Sequence, residues 1–219
     1  MRAITPHDHP GWSQANERYL DASLQWLHLR LQALAPPPVA SPLVVPATSA
    51  APGKQWPRWS RRTAALPALP APDLAARLDE TATERSAAAR SDPPPALIAL
   101  ARRLGLDRFE TDVLWLCVAV ELDSGLPAAI ALAQEGVPAP TFALAMRLFD
   151  EPAWDALSPH RPLRHLRLLE INQPGATALT AAALRADERI VNVVKGLNVP
   201  DVRLSGWMGA ELGERPVSA

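Results

Sequence analysis

Few residues in this 219-residue chain have types and spacing that could do chemistry. Gly53 and Lys54 adjoin, but Gln55 follows, and the chain contains no G-x-x-x-x-G-K-[ST] segment. That segment cradles phosphates with glycine-rich amides and brings a lysine to their charge. Nucleotide hydrolysis by this chain alone is therefore not expected. His7 and His9 flank Asp8, yet a metal site would need a matched later pair of ligands. His160 and His165 read as surface groups or caps of local carbonyls. Asp150, Glu151 and Asp155 form a solvated acidic edge. No Ser/His/Asp grouping has a nucleophile elbow around it. No catalytic, cofactor or metal residue is assigned.

Cys117 is the single cysteine, so no internal disulfide can form. It lies in the apolar run Val113–Val120 and reads as a buried, unreactive thiol. Lys54–Arg62, KQWPRWSRR, interleaves aromatic and basic residues. Such a mix can stack bases and neutralise phosphates. It can equally dock on a protein or be a solvated linker. Four cations in one short tract make a small footprint for nucleic acid.

The elements that would position these groups begin with a helix over Ser13–Leu34, capped by Ser13. Leu20, Leu24, Leu27, Leu31 and Leu34 recur at a 4-3-4-3 spacing, which sets them on one stripe. The stripe can dock on the chain's own globular part, or form a partner contact at the end of a tether. Those five leucines are the candidate partner-contact residues. Pro36-Pro37-Pro38 ends the helix, because proline lacks the amide and clashes with the preceding turn.

The chain holds 24 prolines, many of them between Pro36 and Pro72, and this argues against one compact unit. Residues 36–91 read as a Pro/Ala-rich disordered linker, with a helix over 73–90 capped by Asp73. The globular part is expected over residues 92–204, and residues 205–219 read as a flexible tail. A helix over Pro95–Leu104 stops at Gly105. The next starts on Asp107 with Glu110 three residues on, a capping-box variant. Its run VLWLCVAV is apolar all round, so it should be the buried centre. Helices follow over Leu126–Gln134 and Thr141–Phe149, the second capped by Thr141. A turn at Pro152–Leu157 carries Trp154 as a packing anchor.

Leu163–Ile171 alternates polar and apolar residues, with a phase slip at Leu168–Leu169 that suggests a bulged strand. Asn172–Ala176 is turn chemistry. Leu179–Leu184 can return as the partner strand, and Asp187 caps a helix that Gly196 terminates. The expected fold is mainly α: a winged-helix-like domain with a small β-hairpin, preceded by an N-terminal helix and a Pro-rich disordered linker.

Three segments, Ala15–Leu34 (ANERYLDASLQWLHLRLQAL), Pro95–Asp123 and Leu184–Leu204 (LRADERIVNVVKGLNVPDVRL), carry a likeness. Together they resemble the N-terminal region of bacterial AAA+ ATPases associated with contractile injection systems. The resemblance implies an N-terminal helix, a variable linker and a winged helix ahead of an ATPase module. The family pattern would run from Asp201–Leu204 into a linker and a Walker A loop. Here SGWMGAELGERPVSA follows instead. The expected role is a non-catalytic protein-interaction or adaptor segment of a truncated or split AAA+ ATPase. ATP would belong only to the implied full-length enzyme. The partner would be a protein, such as an AAA+ ring or an injection-system component.

The alternatives are a winged-helix DNA-binding regulator and a relic without independent role. DNA is disfavoured by charge. Arg147 is the only basic residue of Ser124–Asp155, which includes the candidate recognition helix Thr141–Phe149. The turn Asn172–Ala176 is uncharged, and Arg161, Arg164 and Arg167 would alternate along a strand. DNA binding needs several phosphate contacts before bases can be read. A net charge of -1 gives no pull toward nucleic acid or anionic membranes. No signal peptide is read at the start, and Val113–Val120 is far shorter than the roughly 20 residues that span a bilayer. A cytoplasmic, soluble protein is expected.

Overall fold

The computed structural model describes residues 11–35 and 71–197. The tract Lys54–Arg62, most of the linker, His7 and His9, and the tail lie outside the described residues. Eight helices occur among those described: α1 (Trp12–Leu34), α2 (Ala71–Ala88), α3 (Ala96–Leu104), α4 (Arg108–Leu122), α5 (Leu126–Ala133), α6 (Phe142–Leu148), α7 (Pro162–His165) and α8 (Glu188–Lys195). Strands β1 (Leu169–Asn172) and β2 (Ala183–Ala186) form one antiparallel hairpin, pairing Leu169 with Ala186 and Ile171 with Leu184. None of the described helices is long and apolar enough to cross a membrane.

Helix α4 is the centre, as its all-round apolar sequence requires. Val113 through Ala119 are all buried. Its start is fixed by the capping box: Glu110 N–H donates to Asp107 Oδ1 at 2.7 Å, and Asp107 N–H donates back to Glu110 Oε2 at 3.2 Å. Around α4 pack α3, α5, α6, α8 and β2. Thr141 caps α6 by accepting from Leu144 N–H at 3.0 Å. Asp187 caps α8 by accepting from Arg189 N–H at 2.9 Å. Just before α6, the Pro140 carbonyl accepts from Leu184 N–H at 2.8 Å. That single bond ties this segment to the free side of β2.

Helix α1 lies against α2, α5 and α6 and joins the same core. The boundary expected at residue 35 therefore does not separate two bodies. Antiparallel packing of α1 and α2 follows from their contacts. Trp12 Nε1 donates to the Pro94 carbonyl at 3.1 Å, while Arg85 lies over the Trp26 ring at 4.3 Å. Asn16 fastens the other side: its amide donates to the Val194 carbonyl at 3.0 Å and its oxygen accepts from Ala96 N–H at 2.9 Å. Gly196 ends α8 with φ at +85°, and a Cβ there would stand 3.1 Å from the Trp12 ring. Both the left-handed turn and the close approach require glycine.

Several expected starts move. Helix α1 begins at Trp12 after Gly11, with no side-chain cap, so Ser13 lies inside the first turn. Asp73 sits in the first turn of α2 rather than ahead of it. The alternating run Leu163–Ile171 is not one strand. Residues 162–165 form a helical turn, Arg167 takes φ of +52°, and only then does β1 begin. The phase slip at Leu168–Leu169 marks this change from turn to strand, not a bulge. The return segment likewise divides, with a 3-10 turn at Leu179–Ala181 before β2.

Candidate interaction surface

In helix-turn-helix folds a groove-reading helix must stand clear of the core. Helix α6, the recognition helix expected from sequence, does not. Phe142, Leu144, Ala145 and Leu148 are buried, and α6 packs against α1 and α4. Its core position follows from its apolar sequence, FALAMRL. The helix that leads into the hairpin is instead α7, four residues long. Four residues of helix rise about 6 Å, a little more than one turn.

The three arginines around α7 are mostly committed. Arg161 pairs with Asp107 and with Glu110 (2.9 Å), and its Nε lies 3.6 Å from Asp155. Arg164 donates to the Leu157 carbonyl at 2.6 Å. Arg167 is exposed. Burial pushes the Glu110 carboxyl above its ordinary range, opposed by the Asp107 amide and the Arg161 charge. Arg161 thereby stitches the turn after Trp154 to the start of α4. The hairpin loop that follows, residues 173–182, carries no charged side chain.

Beside α7 lies an open groove of about 480 Å³ between the 3-10 turn at Trp154–Leu157 and the far arm of the hairpin loop. Trp154, Pro159, Leu157 and Leu179 supply its apolar wall. Trp154 was expected to be a packing anchor, but it is 68% exposed. The core beneath it is already closed by Ala156 and Leu157, so the indole has no place inside. Among the described Trp, Tyr and Phe residues it is the one that is exposed. The carboxylates Asp150, Glu151 and Asp155 stand exposed along the same stretch, and Arg30 reaches Asp150 at 3.0 Å. A second groove, about 640 Å³, lies between the hairpin and Pro138–Pro140.

The leucine stripe is not at this surface. Leu20, Leu27 and Leu31 are buried in the core, and Leu24 and Leu34 pack against it. Their assignment as partner contacts is corrected: the stripe satisfies itself at home, against α2, α5 and α6. Polar groups reinforce that seat. Arg85 of α2 pairs with Asp112 of α4 at 2.6 Å beneath the Trp26 ring, which stacks on Phe149 with centroids 5.9 Å apart. Tyr19 lies beside Arg85; burial raises its phenol pKa, against the lowering effect of the arginine. His28 pairs with Asp123 at 2.8 Å. No periodicity rule could have paired Arg85 with Trp26, because they meet only once α2 folds back.

The remaining candidates fall as their chemistry suggests. Cys117 is buried, and burial pushes its thiol up to about 12. His160 and His165 are exposed. Among the described residues no group of three or more His, Cys, Asp or Glu side chains is placed to hold a metal ion.

Comparison with known families matches residues 14–208 to the winged helix domain, variant. No curated protein and no solved structure matches. The matched span runs from the first turn of α1 past the end of α8, and takes in the central helix, the shortened α7 and the hairpin. The chain belongs to the variant winged-helix-domain family.

Proposed function

We propose that this chain is a non-catalytic protein-recognition module, the adaptor segment of an AAA+ machine. The likeness of Ala15–Leu34, Pro95–Asp123 and Leu184–Leu204 to such proteins supplies the machine. The groove under Trp154 supplies the contact. One observation carries this reading: where a DNA-binding winged helix would offer a long basic helix, this surface offers a single turn beside an exposed tryptophan. Tryptophan is among the residue types enriched at the energetic centres of protein interfaces. Asp150 and Asp155 already face Arg30 and Arg161, so the basic side chains around the groove are partly neutralised and offer few phosphate contacts.

The test places a photo-crosslinking amino acid at Thr180, which lines the same groove and leaves the indole in place, in the full chain and within the cells that make it. Capture of an ATPase or an assembly component, absent when the probe replaces exposed Ser13, supports the reading. A gel shift of duplex DNA at low salt that is abolished by R164A/R167A overturns it in favour of a DNA-binding regulator.

A further inference from the structure

The groove that the indole of Trp154 walls on one side also holds a guanidinium, that of Arg164. A guanidinium carries five N–H donors in a planar fork. Among the described residues Arg164 uses one corner of that fork, where Nη1 donates to the Leu157 carbonyl at 2.6 Å. The bond fixes the plane against the turn that carries Trp154. The other edge, formed by Nε and Nη2, has no partner among the described residues. Two parallel N–H bonds from such an edge match the two oxygens of a carboxylate.

The charges around the groove leave that edge open to an anion. Asp155 is the one carboxylate in the lining, and it faces Arg161 across 3.6 Å rather than Arg164. Ser158 stands in the same lining; its hydroxyl oxygen accepts from His160 N–H at 3.3 Å, which leaves the hydroxyl proton to be donated. The polar side of the groove therefore offers donors, and the apolar side offers an indole and a proline ring. A DNA duplex needs several phosphate contacts spaced along its backbone, and the uncharged hairpin loop beside the groove supplies none. One fork beside one ring suits a short acidic peptide instead. The groove is open, so a chain can run through it, which favours an acidic side chain within a peptide over a chain end.

We infer that the Trp154 groove binds an acidic segment of a partner protein, with an Asp or Glu side chain held on the Nε–Nη2 edge of Arg164 and a neighbouring apolar side chain laid on the indole. The inference rests on the recognition reading and gives its partner a chemistry. The indole supplies contact area, and the guanidinium fixes the register of the bound segment.

The test selects random peptides, displayed by their C-termini so that no terminal carboxylate is offered, on the full chain, and discards those that also bind W154A. The survivors should carry an Asp or Glu next to, or one residue away from, an aromatic or large aliphatic residue. A synthetic copy of the most enriched peptide is then titrated against the native chain and R164Q, which keeps an N–H donor for the Leu157 carbonyl. R164Q should weaken binding roughly tenfold, as loss of a hydrogen-bonded charge does. Changing the peptide's acid to its amide should cost about as much, and the two changes together no more than either alone, because they remove the same contact. Survivors that are basic or uncharged, or losses that simply add, overturn the inference. So does an empty selection, and survivors found only in a second library ending in a free carboxylate would assign the fork to a chain end. If the selection fails while the probe at Thr180 still captures a protein, this inference falls and the recognition reading stands.

Discussion

Asn16 and Val194 are separated by most of the chain, yet the amide of one holds the last-turn carbonyl of the other at 3.0 Å in the buried interior. The same side chain accepts from Ala96 at the start of α3. One residue thus satisfies two helix ends that have no intrahelical partner there. Replacing it with alanine leaves a buried carbonyl and a buried amide unpaired, at about 1–3 kcal/mol for each. The variant N16A should therefore lose about 2–4 kcal/mol in urea unfolding. Unchanged stability would mean that α1 is not seated as described.

The stripe and the tryptophan should behave oppositely. Leu27 and Leu31 are fully buried, so L27A and L31A should each destabilise by about 2–5 kcal/mol. Trp154 is exposed, and W154A should leave stability within about 0.5 kcal/mol while abolishing partner capture. Chemical denaturation and pull-down on the same three proteins decide this. A stable L27A that loses its partner would restore the stripe as the contact.

Arg85 and Asp112 form a largely buried pair, and removing one partner strands the other. R85A should cost about 3 kcal/mol, since breaking a buried pair typically costs 3–5 kcal/mol. Part of the loss comes from the contact with Trp26. Hydrogen exchange should rise across residues 74–88 first, because this arginine pins α2 to both α1 and α4. Uniform exchange across the chain would show that α2 is not held separately there.

Asp123 links the end of α4 to α1 through His28. The hydrogen bond from His28 holds its carboxyl below the ordinary range, against the opposing effect of burial. A carboxyl lowered in the folded state stabilises fully above its unfolded value, and that contribution fades as pH falls through the folded one. Unfolding midpoints of the native chain and D123N should differ near neutrality by up to about 0.5 kcal/mol, given the partial exposure of both groups. The two should converge as the pH drops below about 4. A gap that persists in stronger acid would assign the effect to packing instead.

The core and the caps of α4, α6 and α8 were legible because they depend on neighbours in sequence, whereas Ser13 and Asp73 fall inside first turns rather than ahead of them. Asp107 with Glu110, Thr141, Asp187, Gly105 and Gly196 all act within one turn of where they stand. The all-round apolar run of α4 could only be interior. The candidate site was less legible, since it depends on which face meets which. Trp154 reads as core by residue type, and only the prior closure of that core by Ala156 and Leu157 leaves it outside. The leucine stripe reads equally as dock or handle until α2 and α5 are seen to cover it. The single turn of α7 was hidden because four residues of helix beside four of strand mimic one alternating run.

Arg161 touches two acids that begin α4 and a third in the turn that carries Trp154. A tug on the indole would therefore not be absorbed by a slack loop. It would pass through a guanidinium to the rigid spine of the molecule, and the domain would swing as one lever with whatever it grips.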